Sequence, residues 1–223
     1  MSGWLVHKSD PYVGVERQSA KADLGRLGLE KDPRRVLFLQ ICEVLRPSRV
    51  LEIGTWLGGS AILMANALKS LGLVDSRILC VDTWLGSSEH WLDMPGLPES
   101  FRLTFDGGHP DLFDRFVANV AASGHTDLIE PFPIDSHNAF IVLETKGLTF
   151  DVIYIDASHD YDSVKAEICK AWSLLRPNGM LLGDDYWPFQ PGLVRAVKEF
   201  SAEVGVAFRD LGGGQWIMQK AAH

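Results

Sequence analysis

Short, uninterrupted apolar runs separated by helix-length segments constrain this chain more than any other feature. Arg49–Ile53 runs into a glycine-rich turn, Arg77–Asp82 ends in an acid, and residues 150–156 end in another. Strands that are apolar on both faces belong to a parallel sheet covered by helices on each side, because a sheet with one wet face alternates apolar and polar residues. Residues 128–134 and 180–183 read as further strands of this kind. Helices are expected over 33–45, where Asp32 caps and Pro33 takes the first helical position, and over 60–71, 109–123, 136–146, 161–175 and 193–204. Residues 207–209 and 215–219 read as a closing antiparallel hairpin across three glycines. The fold class is α/β, a doubly wound and mostly parallel sheet.

The 223 residues fit one domain, with 1–32 as an N-terminal extension (a lid or an oligomer contact) and 33–223 as the ligand-binding domain. Lys+Arg 21 against Asp+Glu 29 leaves a net charge of −8, which argues against a nucleic-acid or anionic-membrane partner. No apolar run approaches membrane-spanning length and the start has no signal-like apolar stretch, so a cytoplasmic location is expected. Cys42, Cys80 and Cys169 show no paired spacing and read as small hydrophobes in a reduced compartment. Residues 83–110 hold Trp84, Trp91, Phe101 and Phe105 without a clear period. A connection of that length reads as a lid over a binding site.

In an open α/β sheet ligands bind beyond the carboxyl ends of the strands. After the first strand comes Glu52-Ile-Gly-Thr-Trp-Leu-Gly-Gly-Ser60, whose glycines allow a tight turn and close backbone approach by a ligand. After the second comes Asp82, placed where a carboxylate can accept both hydroxyls of a ribose. These point to a nucleoside-containing cofactor. A nicotinamide dinucleotide is the alternative, but Trp56 stands where the pyrophosphate fingerprint requires glycine.

The Glu-x-Gly-x-x-x-Gly-x-Ser turn resembles motif I of class I S-adenosylmethionine-dependent methyltransferases, in the variant of the catechol and caffeoyl-CoA type enzymes. Asp156-Ala-Ser-His-Asp-Tyr161 and Gly183-Asp-Asp-Tyr186 are similar to motifs of metal-dependent sugar and macrolide O-methyltransferases and of the cephalosporin-hydroxylase-like group. The resemblance covers about residues 33–220. It implies a seven-stranded sheet and a cofactor site of Glu52, Gly54, Thr55, Trp56, Gly58, Ser60, Asp82, Thr83, Asp135, Ser136 and Asp156, with Asp135 near adenine or simply capping the next helix. It also implies Mg²⁺ on Asp156, Asp184 and Asp185, and a small hydroxyl acceptor on a sugar or glycosylated natural product.

The residues themselves support the metal reading. Strands ending at Gly54, Asp156 and Asp184 would be neighbours, and three converging carboxylates would repel one another unless a cation joined them. His159 is the candidate base, with Asp156 or Asp160 as alternatives. A phenolic acceptor, a non-catalytic cofactor-binding subunit and self-association through an N-terminus bearing Trp4 and Tyr12 stay open.

Overall fold

Helix α1 (Arg34–Leu45) begins where Asp32 and Pro33 end the preceding loop: the Arg34 N–H donates to Asp32 Oδ1 at 2.9 Å. The structure is a computed structural model that describes residues 4–92, 96 and 98–222. The start of the expected N-terminal extension (1–3), residues 93–95 and 97 of the expected lid, and residue 223 lie outside the described residues.

Strand β1 (Arg49–Ile53) leads through the glycine turn into α2 (Gly59–Ser70), and β2 (Arg77–Asp82) follows. The connection after β2 is not bare loop. It holds one helical turn, α3 (Ser88–Trp91), and a two-stranded ribbon, β3 (Phe105–Asp106) with β4 (His109–Pro110). Helix α4 (Leu112–Ala122) therefore starts at Leu112 and not at 109, because Thr104 and Asp111 close the ribbon against it. Then come β5 (Ile129–Pro133), α5 (Ser136–Thr145), β6 (Phe150–Ile155), α6 (Tyr161–Leu174), β7 (Leu175–Gly183), α7 (Pro191–Val204), β8 (Arg209–Gly212) and β9 (Gln215–Gln219).

The main sheet has seven strands in the order β5-β2-β1-β6-β7-β9-β8, the first five parallel and the last two an antiparallel hairpin. This is the seven-stranded sheet that the resemblance implies. β7 starts five residues earlier than the sequence suggests. Arg176-Pro-Asn-Gly179 forms a bulge inside the strand: Leu175 pairs with Phe150 and Met180 with Val152, so these four residues stand opposite Asp151 alone, with Asn178 at φ +64°. A Cβ on Gly179 would stand 2.9 Å from the Asp151 carbonyl oxygen, so only glycine lets the segment lie that close.

Alternate residues of the buried strands feed two cores. Val50, Ile78, Cys80, Val152 and Tyr154 pack toward α1, α2 and α4; Leu51, Ile53, Leu79, Val81 and Ile153 pack toward α5, α6 and α7. Cys42 and Cys80 are buried as expected, whereas Cys169 is exposed. Among the described residues, no helix is long and apolar enough to cross a membrane.

The N-terminal segment is fastened to the sheet's β5 edge. Buried Glu130 accepts from the backbone N–H groups of Leu5, Val6 and His7, and the Tyr12 hydroxyl donates to the Ile129 carbonyl. Trp4 tilts against Tyr12 with ring centroids 6.4 Å apart, so both aromatics make contacts within the chain.

Candidate active site

The chain winds outward from β1 through β2 to β5, then returns to β6 and winds the other way. The crevice beyond the C-terminal ends of β1 and β6 is thus the topological switch point, where ligands of open α/β sheets bind. Gly54 leaves β1 at φ +79°, and Asp156 leaves β6 beside it, its N–H donating to the Ile53 carbonyl at 2.8 Å. The two chains touch: a Cβ on Gly54 would lie 2.1 Å from the Asp156 carbonyl oxygen.

Asp82 organises this turn. Its Oδ2 accepts from the Thr55 and Trp56 N–H groups, both at 2.9 Å, and its Oδ1 accepts from the Trp84 N–H at 2.8 Å. The acid expected to hold a ribose first holds the turn and retains one acceptor position. Glu52 is buried beneath, accepting from the Ser60 hydroxyl at 2.5 Å. Burial raises it from its ordinary 4.5 to about 7, against the Ser60 bond. A raised carboxyl stays protonated in the fold over a window where the unfolded chain has lost that proton, so its contribution to stability falls from about pH 4.5 to about 7. Relative to Glu52→Gln, the wild-type protein should lose roughly 3 kcal/mol of stability across that window. Urea denaturation of both proteins at several pH values checks this; parallel curves would remove the shift.

The acids at the ends of β6 and β7 come to one place, but they do not leave a cation position open among them. Arg34, from the start of α1, lies among them. Its Nη1 is 3.2 Å from Asp184 Oδ2, 3.5 Å from Asp156 Oδ2 and 3.2 Å from the Tyr154 hydroxyl, which itself donates to Asp184 Oδ2 at 2.8 Å. Asp32 fixes the other side of the guanidinium through Nε and Nη2. Burial disfavours the charge on Arg34, but the hydrogen bonds to Asp32, together with Tyr154 and Asp156, more than offset this. Burial, and next the Asp184 carboxylate, push Asp156 well above the usual carboxylate range, while Arg34 pulls it down. Asp185, at φ +59°, is joined to His159. Among the described residues no three His, Cys, Asp or Glu side chains are grouped to hold a metal ion. As arranged, Asp156, Asp184 and Asp185 do not fit Mg²⁺: a guanidinium already relieves the repulsion of two, and the third is engaged by an imidazole.

His159 Nε2 and Asp185 Oδ2 are 2.8 Å apart, and this bond raises the imidazole above its ordinary value against the effect of burial. The carboxylate partner assigns the hydrogen to Nε2 and leaves the lone pair on Nδ1. Gly192 at the start of α7 lets that helix press on the 159–161 loop: a Cβ there would be 2.9 Å from the His159 carbonyl oxygen. Asp160 caps α6 through the Ser163 N–H, which is its visible role. Asp135 likewise caps α5 through the Asn138 N–H, and Ser136 donates to Glu167.

The connection after β2 covers the turn with rings. Trp56, at φ +49°, stacks on His90 at 4.4 Å, with Phe101 at 6.1 Å. Trp91 (54% exposed) and Phe105 meet edge-on at the outer rim. Trp84 is instead core: it is buried against Phe113 and Phe116, and its indole N–H donates to the Trp56 carbonyl. Thr83 stays at the surface beside it, its hydroxyl accepting from the Leu85 N–H. Gly58, at φ +89°, starts α2 against the Phe116 ring.

Sequence reading missed Arg34 and Tyr154. Arg34 looks like an ordinary first-turn residue, and only the sheet order brings it to residues more than a hundred positions away. Tyr154 had a faint signal, a hydroxyl in an otherwise apolar strand two residues before Asp156.

The family profile described as "Methyltransferase domain" matches residues 51–186, from β1 past the Asp184-Asp185 pair. No curated protein matches by sequence. Among solved structures, the O-methyltransferase from Bacillus cereus in complex with SAH is 21% identical, with a TM-score of 0.61 over 98% of this chain and 93% of that one. The O-methyltransferase TomG from Streptomyces achromogenes, involved in tomaymycin synthesis and solved with SAM, is 16% identical, with a TM-score of 0.60 over 97% and 93%. These likenesses concern the fold. The profile spans more than half of the chain, and with the sheet order and the turn at its switch point it identifies the chain as a member of the methyltransferase domain family.

Proposed function

We propose that this chain transfers a methyl group from S-adenosylmethionine to a hydroxyl of a small acceptor, a sugar or a glycosylated natural product. The observation that carries the reading is the placement of two features at one crevice: the Glu52–Ser60 turn latched by Asp82, and the His159–Asp185 pair at its rim. Family membership and O-methyltransferase fold neighbours solved with SAH or SAM support the cofactor. The acidic surroundings suit a cationic nucleoside better than a dinucleotide. Glu52, Gly54, Thr55, Trp56, Gly58, Ser60, Asp82, Thr83, Asp135, Ser136 and Asp156 are the residues proposed to hold it.

When bound, S-adenosylmethionine supplies an electrophilic sulfonium methyl group, which an acceptor oxygen displaces in line. The chain aligns the two reactants and takes the proton. His159 accepts it at Nδ1 while Asp185 holds Nε2–H and steadies the resulting imidazolium. The ring surface of Trp56, His90 and Phe101 excludes water from the crevice. No step passes through Mg²⁺, because its proposed ligands are otherwise engaged.

The same aromatic stack favours a second reading, a phenolic acceptor lying against the rings. Incubation with S-adenosylmethionine and a panel of sugars, glycosides and catechols separates the two by which acceptor drives S-adenosylhomocysteine formation. Binding of the product without transfer to any hydroxyl would contradict both and leave a cofactor-binding subunit. Asp82→Ala is expected to weaken cofactor binding about 10–100-fold, since it frees three turn N–H groups and removes a charged partner. Calorimetry checks this, and unchanged affinity would take Asp82 out of the site.

A further inference from the structure

We infer that Arg34 is the resident cation of the acceptor rim: its guanidinium occupies the place among Asp156 and Asp184 that a divalent metal would take, so the chain performs its chemistry without one. The inference concerns the rim of the proposed methyltransferase site and rests on that reading for its catalytic meaning.

Three observations carry it. First, one nitrogen of Arg34 serves Asp184, Asp156 and the Tyr154 hydroxyl together. Second, Arg34 is not a passing surface side chain. Asp32, two residues earlier, accepts from its backbone N–H and through both oxygens from its Nε, with Nη2 on Oδ2 at 2.7 Å. The side chain is held in place by its own helix start, and its exposure is 21%. Third, both oxygens of Asp184 and one of Asp185 already have partners. Asp184 Oδ2 accepts from Tyr154 and Arg34, Asp184 Oδ1 accepts from the Asp185 N–H, and Asp185 Oδ2 meets His159. Mg²⁺ requires near-octahedral oxygen ligands at about 2.0–2.1 Å and cannot share these carboxylates with a guanidinium already seated between them.

A guanidinium does not titrate over any pH at which proteins fold, so this cation is permanent, whereas a metal would come and go with its concentration. It offsets part of the negative charge of Asp32, Asp156 and Asp184 beside the crevice and fixes the direction of the last two. Arg34 is thus a positioning residue.

The test is a Mn²⁺ titration by calorimetry and by electron paramagnetic resonance, on wild type, Arg34→Lys and Arg34→Gln, with S-adenosylhomocysteine present. Wild type and Arg34→Lys are expected to take up no stoichiometric Mn²⁺ at micromolar concentrations. Arg34→Gln is expected to gain a site at least about tenfold tighter than wild type, because the freed carboxylates lack a cation. Wild-type turnover should be unchanged in EDTA. Stoichiometric Mn²⁺ uptake by wild type that Asp184→Asn abolishes would overturn the inference, as would Arg34→Gln binding no more tightly than wild type. Should Arg34→Gln fail to fold, as circular dichroism would show, wild type and Arg34→Lys decide alone. The titration needs neither acceptor nor turnover, so failure of the methyltransferase reading leaves its result standing and distinguishable.

Discussion

Replacing His159 by alanine is expected to lower kcat about 10²–10⁴-fold, the usual worth of a positioned proton acceptor. An aliphatic hydroxyl is a weak nucleophile near neutral pH, so a positioned acceptor for its proton carries much of the rate. The structure gives His159 the two attributes a base needs: a partner that fixes its tautomer, Asp185 at 2.8 Å, and a free Nδ1. Cofactor affinity should hold within a few-fold, because the Glu52–Ser60 turn does not depend on His159. Steady-state kinetics with calorimetry on the same preparation checks both. A His159→Ala enzyme at near wild-type rate would pass the role of base to an aspartate, Asp156 or Asp160.

Gly54→Ala should be the most damaging single methyl group in the molecule. The backbone is at φ +79°, and the new Cβ would lie 2.1 Å from the Asp156 carbonyl oxygen, 2.6 Å from its carbon and 2.8 Å from Ala157 Cα. These are backbone atoms of the neighbouring strand's exit and cannot rotate aside. A loss of about 3–5 kcal/mol is expected, combining left-handed strain with overpacking. Gly147→Ala is the control, with φ +63° and open space around the Cβ, and it should cost only about 1–2 kcal/mol. Equal urea midpoints for the two variants would show that the close approach of β1 and β6 is not rigid.

Much of this architecture is legible in sequence because parallel strands buried on both faces leave continuous apolar runs, as at Arg49–Ile53 and Arg77–Asp82. Boundaries blurred where tertiary contact overrides local preference. Arg176-Pro-Asn-Gly179 keeps its turn chemistry as a bulge, yet strand pairing resumes on both sides of it, because Asn178 donates to the Lys220 carbonyl and Gly179 nests on β6. The elements of the proposed site were legible where local geometry sets them, as in the turn after β1 or the acids that close β2, β6 and β7. It was not legible where a distant charge decides the outcome. Three aspartates in sequence imply an unbalanced cluster; Arg34, drawn in by the packing of α1 beside β6, supplies the balance. Asp135 and Asp160 show the converse, since short acids before helices cap them whatever else they do.

Calorimetric titration of the wild-type protein with S-adenosylmethionine tests most directly whether the crevice between β1 and β6 is a methyl-donor site. Binding of one molecule per chain with micromolar affinity is expected, and S-adenosylhomocysteine should compete for the same site. No heat with either ligand, together with saturable binding of NAD, would contradict the assignment and return the glycine turn to a dinucleotide.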